Sequence, residues 1–122
     1  MSERSTARRD IEQRTFAFAV RVLKLVRVLP HTTGAGVVAR QLARSGTSIG
    51  ANVEEAQGSQ SRAEFVRRMN IARAEARETS YWLRLLRETS DLKPERLAPI
   101  IQEAGELVSI LTTIVKRSRR AD

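Results

Sequence analysis

The sequence predicts an all-α protein, an antiparallel up-down bundle of four helices, and three observations lead there. Apolar residues recur at three- and four-residue spacing in four successive segments, and no segment alternates with period two. The apolar content, 41%, rests on Leu, Ile, Val and Ala with only three Phe, one Trp and one Tyr, which suits helix packing better than a β-sandwich. The turn-forming stretches LPHTTGAG, QGSQ and DLKP separate the segments. At 122 residues the chain has the size of one domain, taken here as 1–122.

The first helix spans about Asp10 to Leu29 and stops before Pro30, because the residue preceding proline disfavours helical geometry. At about 100° per residue, Phe16, Val20 and Leu23 lie on one side and Phe18, Val22, Leu25 and Leu29 on another. That is more apolar surface than one bundle face needs. Either the helix buries more than half its girth, or Phe18, Val22 and Leu25 meet another subunit. The second helix spans about Val37 to Ala56, with Val38, Leu42, Ser45, Ile49, Val53 and Ala56 in one stripe.

Ser61-Arg-Ala-Glu64 is a capping box, so the third helix runs from Arg62 to about Thr89. Its positions Phe65, Met69, Ala72, Ala76, Thr79, Leu83 and Leu86 follow a 4-3 heptad. Pro94 suits the first turn of a fourth helix, which runs to about Lys116 with a stripe of Leu97, Ile101, Ala104, Val108, Leu111 and Val115. Small residues at Ser45, Ser48, Ala72 and Ala76 let backbones approach, and the two basic ends are expected to be flexible.

Composition removes much enzyme chemistry. No cysteine means no disulfide, thiolate metal site or cysteine nucleophile, and one histidine excludes an imidazole-based zinc or di-iron centre. Glu75 and Glu78 share a face but lack histidine or grouped acids nearby, so no enzyme, cofactor or metal is expected. The charged N-terminus contains no signal-peptide core, which predicts a cytoplasmic protein and no membrane partner.

Twenty-two Lys and Arg against fourteen Asp and Glu give +8, which favours a polyanionic partner, with nucleic acid ahead of membrane. Acids three or four positions away compensate Arg14 through Asp10, Arg67 and Arg68 through Glu64, and Arg84 through Glu88. Arg21, Lys24, Arg27, Arg40, Arg44, Arg73 and Arg77 lack such partners. Arg73, Arg77, Arg84 and Arg87 share a strip about 80° wide and about 21 Å long, suited to phosphate oxygens. Lys116, Arg117, Arg119 and Arg120 add a second contact. Folding the hairpin about Ser59 brings Arg44 opposite Glu75 as a structural ion pair. Ser48, Asn52 and Glu55 share one side of the second helix, more a hydrogen-bond network than a pocket. Tyr81 and Trp82 could stack on bases, but packing between helices or subunits is the preferred reading.

The stretch from about Gln41 to Leu86 resembles the four-helix-bundle family of proteins encoded by intervening sequences in bacterial 23S ribosomal RNA genes. Arg44-Ser45 followed by Ser48-Ile49, Asn52 with Glu55, Ser61 with Phe65, Ile71-Ala72, and Glu78 leading into Tyr81-Trp82-Leu83 carry the resemblance. It implies a left-handed bundle assembled as a ring-shaped homopentamer around a central channel. The accessory proteins of diversity-generating retroelements are similar in fold, and their basic pentamers engage nucleic acid and a reverse transcriptase. The expected function is therefore a non-catalytic oligomer that binds nucleic acid, RNA ahead of DNA, through phosphates; the alternative is an oligomeric scaffold for a protein partner.

Overall fold

The computed structural model describes residues 3–120, with side chains from Asp10 onward. Four helices fill that span, α1 (Glu3–Arg27), α2 (Thr33–Gln57), α3 (Arg62–Thr89) and α4 (Pro94–Arg120), and no strand occurs among the described residues. Each helix lies beside its chain neighbours, α1 touches α4 only briefly, and the α1/α3 and α2/α4 pairs sit across the bundle diagonals. This is the expected antiparallel four-helix arrangement.

Most positions of the predicted stripes point inward, with Phe65 of α3 only half-buried at the edge of the core. Val38, Leu42, Ser45, Ile49, Val53 and Ala56 of α2 are buried, as are Met69, Ala72, Ala76, Thr79, Leu83 and Leu86 of α3. On α4, Ile100 and Leu107 are buried with Leu97, Ala104, Leu111 and Val115, while Ile101 and Val108 flank the core. By length and composition α4 is also apolar enough to cross a bilayer; here its apolar stripe lines the bundle.

Three helix ends differ from expectation. The α1 helix begins before Asp10 and stops at Arg27, where the Val28 and Leu29 amides bond three residues back in a tightened final turn. Instead of starting near Val37, α2 starts at Thr33, because the Thr32 hydroxyl accepts from the Ala35 amide at 3.3 Å. That cap offsets the helical cost of Gly34 and Gly36, which made the stretch read as a turn. Finally, α4 continues to Arg120, so Lys116, Arg117, Arg119 and Arg120 ride on helix rather than a flexible tail. Cations in a last turn complement the carbonyl end of the helix dipole.

At the α2–α3 turn, Ser61 Oγ accepts from the Glu64 amide at 3.1 Å and Glu64 reaches back to the Gln60 amide at 3.3 Å. The capping box is present, with its carboxylate one residue further back than the usual reciprocal bond. Between α1 and α2 the contact is close at Gly46, which meets the Val22 side chain, and at Gly50, which meets the Thr15 backbone and hydroxyl. A Cβ at Gly46 would lie 2.8 Å from a Val22 methyl, and one at Gly50 would lie 3.2 Å from Thr15 Oγ1. The buried Thr15 hydroxyl donates to the Ile11 carbonyl at 2.8 Å, so its polar atom is satisfied within α1.

Candidate functional site

The outer face of α3 carries the arginine strip. Arg77 and Arg84 are exposed, Arg73 and Arg87 half-buried. Arg73 Nε donates to Asn70 Oδ1 at 2.9 Å and Arg84 Nε to the Ser80 carbonyl at 3.3 Å, bonds that orient the guanidinium groups without neutralising them. Arg87 departs from expectation: it pairs with its neighbour Glu88 at 3.4 Å, leaving Glu88 away from Arg84. Among the described residues no ion pair neutralises Arg73, Arg77 or Arg84.

Arg21, Lys24 and Arg27 are exposed on α1, diagonally across the bundle from α3. These cations therefore lie on a different side of the bundle from the α3 strip. Lys116, Arg117, Arg119 and Arg120 are exposed at the end of α4, which the antiparallel hairpin places at the same pole as the start of α3.

Arg44 behaves as the hairpin register requires. Its guanidinium holds Glu75 at 3.1 Å and also Glu78, a partner the sequence reading had not assigned. The hydrogen bond from Arg44, with a smaller contribution from Trp82, keeps the Glu78 carboxyl below its ordinary range against the opposing effect of desolvation, and the same pair raises the Arg44 guanidinium. Glu75 and Glu78 thus form an arginine clamp.

Deeper in this seam the Ser45 and Thr79 hydroxyls are hydrogen-bonded at 2.9 Å, both buried. Further along, Asn52 donates to the Ser48 carbonyl and hydroxyl at 2.9 and 3.1 Å and accepts from Arg68 at 3.3 Å. Glu55, expected in that network, is exposed outside it; Arg68, which the sequence assigned to Glu64, takes its place.

The apolar α1 residues sort oppositely to expectation. Phe18 and Val22, expected to meet another subunit, are 1% and 0% exposed in their own bundle, and Leu25 packs against that core. Val22 fits the space over Gly46, which fixes this face inward. The face left outside is Phe16, 66% exposed, with Val20 and Leu23. Beside it lies a shallow groove lined by Thr15, Phe16, Ala19, Thr47, Gly50 and Ala51, with Glu12 and Glu54 at its polar rim. Arg14, paired with Asp10 by sequence spacing, instead reaches α4, meeting Glu103 at 2.6 Å and Glu106 at 3.2 Å. The bonds to Glu103 and Glu106 raise its pKa despite desolvation.

Tyr81 and Trp82 also separate. Trp82 is half-buried against the core and donates Nε1–H to Glu78 at 3.2 Å, whereas Tyr81 is 51% exposed. Their rings meet edge to face, centroids 5.1 Å apart and planes at 77°.

The same architecture occurs in the 1.70 Å crystal structure of a protein of unknown function from the S23 ribosomal protein family of Bacteroides thetaiotaomicron VPI-5482. The two are 39% identical, with a TM-score of 0.83 over 90% of this chain and 98% of that one. No functionally curated protein matches. The sequence profile of the 23S rRNA-intervening sequence proteins matches residues 8–113, a span that holds all but the ends of the bundle, so the chain belongs to that family.

Proposed function

We propose that this protein is a non-catalytic cytoplasmic module that binds nucleic acid, RNA ahead of DNA, mainly through phosphate contacts, and that it works as an oligomer. The observation that carries this reading is the pair Arg77 and Arg84, exposed on one face of α3 and not neutralised by ion pairs among the described residues. Exposed guanidinium groups are matched to phosphate oxygens, and that of Arg84 is oriented by its bond to the Ser80 carbonyl. The net charge of +8 supplies a long-range field of the same sign. The family's association with a 23S rRNA intervening sequence makes RNA the first polyanion to test.

Phe16, Val20 and Leu23 support subunit contact, since a soluble bundle gains by covering such a face. The ring of five implied by the resemblance would repeat the arginine strip and strengthen binding to long RNA by multivalency. The same apolar face favours the second reading, a scaffold that holds a protein partner.

Salt-dependent RNA binding separates the readings. A phosphate binder loses RNA affinity steeply as salt rises, and Arg77→Ala with Arg84→Ala reduces the magnitude of the logarithmic salt slope by about two units. A parent protein that binds no RNA at low salt leaves the scaffold.

A further inference from the structure

We infer that Tyr81 is a stacking platform for one unpaired base, which makes the α3 strip selective for single-stranded over double-stranded nucleic acid. The inference rests on the phosphate-binding reading above and adds the form of the ligand.

On α3, Tyr81 lies about 6 Å along the axis beyond Arg77 and about 4.5 Å before Arg84, within about 60° of each around the helix. Its backbone position therefore lies between those of two exposed arginines along the axis, to one side of the line that joins them. That order, cation, aromatic, cation, suits a base with the phosphates on either side of it.

The ring is also held in place. Trp82 meets it edge to face, Glu78 accepts from the Trp82 indole, and Arg44 of α2 grips Glu78. A platform fixed before binding loses little side-chain freedom when a base settles on it. Beside the ring is an open hollow of about 260 Å³ lined by Tyr81, Arg84, Leu85, Arg87 and Glu88. Leu85 is its one aliphatic lining residue, and the one acid, Glu88, is paired with Arg87. A duplex offers phosphates to the arginines but keeps its base faces stacked, so Tyr81 distinguishes the two forms.

The test compares a short unstructured RNA with a duplex of equal strand length, each titrated by fluorescence anisotropy against the full chain and its Tyr81→Ala and Tyr81→Phe variants. The single strand carries one 2-aminopurine to report stacking. Tyr81→Ala is expected to weaken single-strand binding about tenfold with the salt slope unchanged, to leave duplex binding unaltered, and to abolish the stacking signal. Tyr81→Phe is expected to retain all three. Equal losses on both RNAs, or no loss on the single strand, overturn the platform while phosphate binding stands. A change in particle mass for Tyr81→Ala also overturns it, placing the ring between subunits. If the parent binds neither RNA at low salt, the phosphate reading fails and the platform with it.

Discussion

Arg44 on α2 grips Glu78 on α3, and Glu78 in turn accepts from the indole of Trp82, so one carboxylate links the helix hairpin to the aromatic pair on its outer face. Arg44 also holds Glu75 at 3.1 Å, and roughly half of its own side chain remains in water. Such exposed pairs contribute little to stability, about 0–1 kcal/mol. Their larger effect here is geometric: they fix where Trp82, and against it Tyr81, can lie.

Because Arg44 lowers the Glu78 pKa in the folded protein, the unfolded chain binds the proton more readily near pH 4. The stabilisation from this pair is present above the unfolded carboxyl pKa and is lost as pH falls through the folded one. Glu78→Gln is therefore expected to lower the urea midpoint slightly at pH 7, with the gap from the parent closing on acidification. A gap that stays constant with pH would remove the ion pair as its cause.

Opposite outcomes are expected at two helical glycines. Gly46→Ala places a methyl 2.8 Å from the buried Val22 side chain and should destabilise by about 1–3 kcal/mol. Gly105→Ala, at an exposed position of α4, meets nothing within 4 Å and should stabilise by about 0.5–1 kcal/mol. Thermal denaturation of both variants measures the contrast.

Ser61→Ala removes the oxygen that accepts from the Glu64 amide and should lower stability by about 1 kcal/mol with the particle mass unchanged. An unchanged denaturation midpoint would mean that Glu64 and solvent cap α3 without it.

Light scattering tests the outer α1 face. The parent is expected to exceed its chain mass of 13.7 kDa, and Val20→Glu with Leu23→Glu should return it to that mass while helical circular dichroism persists. Phe18→Ala is the contrasting case: it opens the core of each bundle and should cost about 3–5 kcal/mol. A double variant that keeps the parent mass would clear this face of subunit contact.

Strong local signals made much of the molecule readable. The heptad of α3 and the stripe of α2 each fall on one side of a helix wherever the helix packs, so their burial follows from spacing. Ser61 with Glu64 marks the start of α3 by chemistry within four residues. The Arg44–Glu75 pair followed from the short turn, which fixes the hairpin register. The start of α2 was misread because Gly34 and Gly36 suggested a turn more loudly than Thr32 suggested a cap.

By itself the sequence determined the four helices, the inward stripe of α2 and most of those of α3 and α4, and the excess of arginine on α3, while the packing of α4 chose Ile100 and Leu107 over Ile101 and Val108. Only the tertiary structure decided which of two apolar α1 faces goes inside, because both satisfy the helical period and the choice depends on fit against α2. Gly46 and Gly50 leave room there for Val22 and Thr15, which turns Phe18 inward and Phe16, Val20 and Leu23 out. Charge partners were decided the same way: Arg14 passes over Asp10 for Glu103, and Arg68 over Glu64 for Asn52. A flexible side chain can satisfy several spacings along one helix, and the neighbouring helix selects among them by bringing a partner within reach.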